Sequence, residues 1–78
     1  MHNIFDAYHR TESRQDGTFV PQVQIVSGSP GSAFVDTHLR DDDHPCATRE
    51  QARARETHLA ERWKLDHASD DAVIAFQN

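Results

Sequence analysis

An α+β fold is predicted for this chain: a three-stranded antiparallel sheet packed by one long helix, with a short C-terminal helix or turn, in a single domain over residues 1–78. Three observations lead there. Residues 19–26 alternate in polarity with a period of two, as a half-buried strand does. Asp16-Gly17 stands just ahead of them, and Asp-Gly suits the positive φ of a tight hairpin turn. From Thr48 onward the residues favour a helix, with no Gly or Pro before position 67.

Each element follows from its residues. Ile4, Phe5 and Tyr8 make 4–9 a first strand in preference to a helical turn. In the second strand, 19–26, Phe19, Val23 and Ile25 share the core face and Gln22 and Gln24 the other. Pro21 has no N–H for a ladder, so it belongs at an edge, at a bulge, or with its nitrogen turned from the partner strand. Ser27-Gly28-Ser29-Pro30-Gly31-Ser32 reads as a connector; a phosphate loop would need a following Gly-Lys-Ser/Thr. The third strand is 33–39, with Val35, Thr37 and Leu39 on one face.

The helix, 48–66, opens on a capping box of Thr48 and Gln51, with Ala47 and Ala52 placed as a weak staple. Ala52, Leu59, Ala60 and Trp63 form its apolar stripe, with Glu56 near the edge and Trp63 the expected anchor on the sheet. Glu50/Arg53, Arg53/Glu56 and Arg62/Asp66 are spaced to pair along the solvent side. Ser69-Asp70-Asp71 can start a short second helix with Ala72-Val73-Ile74-Ala75-Phe76 as its body, a final strand being the alternative.

This order, together with the tract from Asp16 to Ile25, the helix start Thr48-Arg49-Glu50-Gln51-Ala52, and Trp63, resembles small uncharacterised bacterial proteins of β-β-β-α type over about residues 4–66. The resemblance implies a fold and no activity.

Composition narrows the function classes. The chain is 36% apolar and 27% charged, and its formal net charge is -5, from 13 acidic and 8 basic residues. Phosphate backbones and anionic membranes repel such a surface. No stretch reaches the roughly 18 apolar residues that span a bilayer, and the first residues carry neither a basic segment nor an apolar run. The single cysteine, Cys46, makes no internal disulfide, so a cytoplasmic setting is expected.

Four candidate chemistries arise. Six histidines are present, and His38, Asp41, Asp42, Asp43, His44 and Cys46 crowd into positions 38–46. Imidazole, carboxylate and thiolate are all metal ligands, so His38, Asp41, His44 and Cys46 are the metal candidates. Their spacing matches no zinc motif, and a solvated acidic loop explains them better. Cys46 precedes a helix N-terminus with His44 two residues away, an arrangement that can activate a thiol; the run Asp41 to Asp43 opposes a thiolate. Arg49, Arg53, Arg55, Arg62 and Lys64 crowd the helix, yet they interleave with Glu50, Glu56 and Glu61, as on a salt-bridged outer face. Lastly, one helix covers only one face of a small sheet. Val20, Gln22, Gln24 and Val26 are expected on the other, open for a protein partner or a second copy.

The residues show no convergent catalytic set and imply no cofactor. The expected role is a non-catalytic accessory or regulatory module acting through protein contacts, with the possibility of a homodimer. A nucleic-acid-associated regulator using the arginine helix is the second choice, and a small metal-binding protein or enzyme the third.

Overall fold

The computed structural model describes residues 4–27, 34–68 and 71–77. It is α+β, with β1 Ile4–His9, β2 Glu12–Ser13, β3 Phe19–Val20, β4 Gln22–Ser27, β5 Val35–Arg40, α1 Arg49–His67 and β6 Val73–Gln77. Four strands form a mixed sheet in the order β5-β4-β1-β6, and β2 and β3 form a two-stranded ribbon. Residues 28–32 of the expected connector, residue 33 of the expected third strand, and the Ser69 cap lie outside the described residues.

β1 to β4 make one long hairpin. Asp6 stands opposite Val26 and His9 opposite Val23; farther along, Glu12 stands opposite Val20 and Ser13 opposite Phe19. The register therefore passes Pro21 without a shift, and only the hydrogen-bond ladder is interrupted. The break is at Gln22, whose carbonyl accepts from Arg10 N while its own N–H turns to Glu56; Pro21 falls in a non-hydrogen-bonded pair, its nitrogen turned from this partner. The expected strand 19–26 is thus one run of register in two hydrogen-bonded pieces. At its tip, Gly17 takes φ 87°, and the Asp16 carboxylate accepts from Thr18 N (2.9 Å) and Oγ1 (2.6 Å).

The C-terminal segment corrects the expectation of a short helix or turn, and with it that of a three-stranded antiparallel sheet. Residues Val73–Gln77 form a fourth strand parallel to β1, with Ile4 beside Val73 and Phe5 beside Ile74. β5 and β6 run the same way, and a chain joining two such strands must cross over the sheet. That crossover is α1, which is why a single helix lies on a single face.

The helix begins as its sequence predicts. Thr48 is the N-cap; Gln51 N donates to its Oγ1, and the Gln51 side chain accepts from the Thr48 N–H. Ala52 and Ala60 are fully buried, small enough to bring α1 close to the sheet. Phe5, Ala7, Val23 and Ile25 form the sheet side of the core, and Leu39, Leu59, Trp63, Ile74 and Phe76 pack at its margin. Trp63 meets Phe5 edge to face at 5.2 Å, so it packs against the sheet from the rim while the two alanines occupy the centre.

Glu56 also departs from expectation. It lies fully buried between Ala52 and Ala60, one turn from each, at the centre of the stripe. Its carboxylate accepts from Gln22 N (2.9 Å) and Thr11 Oγ1 (2.5 Å), and it pairs with His9 Nδ1 (2.6 Å). Arg53 is therefore not its partner. Of the expected surface pairs, Arg62–Asp66 is formed, at 3.9 Å.

Candidate functional site: the open face of the sheet

The metal candidates do not converge. His44 Nδ1 lies 3.0 Å from Asp41 Oδ1, but the other Asp41 oxygen takes the Arg55 Nε–H at 2.9 Å, a cation already held by this carboxylate. Cys46 Sγ donates to the His44 carbonyl oxygen at 3.5 Å, and its backbone bridges to Phe19. His38 is on β5, where it approaches Asp36 at 3.6 Å. Asp42 is engaged by Arg40 (2.6 Å) and Arg14 (3.4 Å). No group of three or more His, Cys, Asp or Glu side chains is placed to hold a metal ion among the described residues.

Asp41 instead ties the loop after β5 to the helix, with consequences at low pH. The hydrogen bond to His44 is the main cause holding its carboxyl below the ordinary 3.8; burial opposes that effect and the Arg55 bond reinforces it. A lowered carboxyl contributes stability that is complete above the ordinary value and is lost as pH falls through the lowered one. Asp41→Asn is therefore expected to flatten the acid limb of stability between roughly pH 5 and pH 2, read as urea midpoints against pH. An unchanged acid limb would remove Asp41 from that role.

The helix cations are largely committed as well. Arg55 binds Asp41, Arg62 pairs with Asp66 and Lys64 with Glu61 at 3.2 Å. Arg49 lies over the Phe19 ring at 5.1 Å and reaches Ser13 Oγ.

What remains is the face of the sheet away from α1. Strand alternation sets its rows. Tyr8, Gln24, His38 and Gln77 form the middle row, since Tyr8 is opposite Gln24 and beside Gln77, and Gln24 is opposite His38. Toward one end come Gln22 and Arg40, with Arg10 beside them. Toward the other come Asp6, Val26, Asp36 and Ala75. Beyond those stand Ile4 and Val73, 53% and 46% exposed, with Phe34 just ahead of β5 at 72%.

Most polar side chains of this face bind one another. Arg10 donates twice to Gln24 Oε1, at 3.1 and 3.0 Å, and lies over Tyr8. Gln24 Nε2 donates to Asp36 and Gln77 Nε2 to Asp6. Arg40 donates to Gln22 and to Glu12. The face is a pre-ordered polar lattice with an apolar row at one end.

Of the four residues expected here, Gln22, Gln24 and Val26 lie on this face. Val20 is fully buried opposite Glu12, at the end of the hairpin held by the Arg40–Glu12–Asp42 ion pairs. Sequence reasoning missed Ile4, Tyr8 and Val73. A fourth strand read from the β-branched pair Val73-Ile74 would have placed Val73, and period two along the expected strand 4–9 sets Ile4 and Tyr8 on the face opposite to Phe5 and Ala7. No pocket opens among the described residues, and no described helix is long and apolar enough to cross a membrane. Compared with known protein families, curated proteins and solved structures, the chain matches none.

Proposed function

We propose that this chain is a non-catalytic accessory or regulatory module that works through protein contacts made by the open face of its sheet. The supporting observation is the exposed pair Ile4 and Val73, side by side, with exposed Phe34 just ahead of β5 at the same end of a sheet surface that no described element covers. Exposed apolar residues scattered singly need no explanation, whereas exposed ones gathered together mark a contact surface. Three of the four large apolar side chains exposed among the described residues lie at this end of the sheet.

The chemistry of the neighbouring row indicates the partner. Asp6 and Asp36 flank Val26 immediately behind the apolar side chains. The partner is a protein segment that presents apolar anchors followed by basic residues, so that both rows are complemented. The nucleic-acid reading is less supported because three of the five helix cations, Arg55, Arg62 and Lys64, are paired with carboxylates. The metal reading is less supported because Arg55 already occupies Asp41.

A photo-crosslinking residue at Gln24, introduced in cells that naturally express the protein, tests this reading. The expected result is a discrete protein adduct that Ile4→Asp abolishes and that the same crosslinker at Thr57, on the outer side of α1, does not form. Equal adducts from both positions, or none from Gln24, would overturn it.

A further inference from the structure

We infer that the outer edge of β6 pairs antiparallel with β6 of a second copy, about a two-fold axis through Ala75. This goes beyond the open-face reading and does not depend on it, because it concerns an edge of the sheet rather than a face. The two edges of the sheet differ in chemistry. β5 places Asp36, His38 and Arg40 at alternate positions, and charged edge residues discourage pairing with another chain. β6, Val-Ile-Ala-Phe-Gln, has no charge and no proline. Among the described residues its only strand partner is β1, on the inner side.

The sequence of β6 is complementary to itself in one register. An antiparallel pair centred on Ala75 sets Ile74 opposite Phe76 of the second copy, and Phe76 opposite its Ile74. Both side chains are on the helix side and only half-buried within one copy, at the margin of the core. The pairing therefore extends the core across the two-fold. On the open face it sets Val73 opposite Gln77, again twice. A register shifted by one residue loses this match, since it turns inward-facing side chains against outward-facing ones. A 78-residue domain with a small core is also the kind that gains from burial against a copy of itself. A two-fold normal to the sheet joins two four-stranded sheets into one and keeps both open faces on the same side. The dimer is thereby bivalent for whatever that face binds.

The test is sedimentation equilibrium of the full chain from micromolar to millimolar concentration, with far-UV circular dichroism confirming the fold of each variant. The wild type is expected to show a concentration-dependent monomer–dimer equilibrium. The double variant V73K/Q77K sets lysine opposite lysine at both positions and is expected to weaken dimerisation roughly tenfold or more. V73K/Q77E sets lysine opposite glutamate and is expected to restore it. Amide exchange over 73–77 in the wild type, which needs no variant, is expected to slow as concentration rises. A monomer at every concentration overturns the proposal. So does a dimer indifferent to V73K/Q77K or not restored by V73K/Q77E, and so does growth beyond the dimer. The open-face reading is judged separately by the Gln24 adduct and its loss in Ile4→Asp.

Discussion

Replacing Glu56 with leucine is expected to cost about 3–5 kcal/mol, because three hydrogen bonds to one buried acceptor group are lost together. The reason lies beside Pro21, at Gln22. The N–H that would return the Arg10–Gln22 ladder bond is turned toward α1, where Glu56 accepts it at 2.9 Å. The helix carboxylate thus satisfies the amide that the ladder leaves unpaired. It also takes the Thr11 hydroxyl and His9 Nδ1, so its removal leaves three donors facing apolar surface. Leucine matches the volume, and the penalty remains because the Gln22 amide belongs to the backbone and cannot be deleted with it. Glu56→Gln keeps one acceptor oxygen and directs an NH₂ group at donors, so about 1–3 kcal/mol is expected for it. Urea unfolding followed by tryptophan emission measures both. A Glu56→Leu variant as stable as the wild type would show that the network contributes no stability.

Ile25→Ala is expected to cost about 2–5 kcal/mol. Ile25 is the largest of the fully buried side chains, flanked by Ala7 on β1 and Thr37 on β5 and covered by α1. Its small neighbours Ala7 and Ala60 have no side-chain length with which to fill the space it leaves. A core this small leaves a domain only roughly 3–5 kcal/mol of its own, so the variant is expected to be largely unfolded at room temperature. The neighbouring Val26 lies on the open face, and Val26→Ala is expected to stay within about 0.5 kcal/mol of wild type. Similar losses at 25 and 26 would mean that the sheet does not divide into a covered and an open face.

Much of the local structure was legible in the residues. The Thr48–Gln51 box fixed where α1 starts because a cap is made within one turn of chain. Asp16-Gly17 located the hairpin tip for the same reason. Gln22, Gln24 and Val26 were placed on the open face by period two alone. β6 was misread because a five-residue apolar run has too little length to show its period, and its strand state depends on β1, nearly the whole chain away. Glu56 was assigned to the edge of the stripe because a carboxylate is normally excluded from a core. Its position midway between Ala52 and Ala60 was the sign to the contrary.

The sequence by itself determined the helix, the hairpin and the alternation of each strand, since these rest on backbone geometry and on neighbours a few residues apart. Only the tertiary structure decided that the ladder breaks at Gln22 without a shift of register, that Glu56 takes the freed amide, and that β6 completes the sheet. It also gathered Ile4 and Val73 side by side with Phe34 at one end of an uncovered face. Each of these is a contact between residues distant in the chain, and such contacts are settled by which surfaces pack together, a choice that local periodicity does not encode.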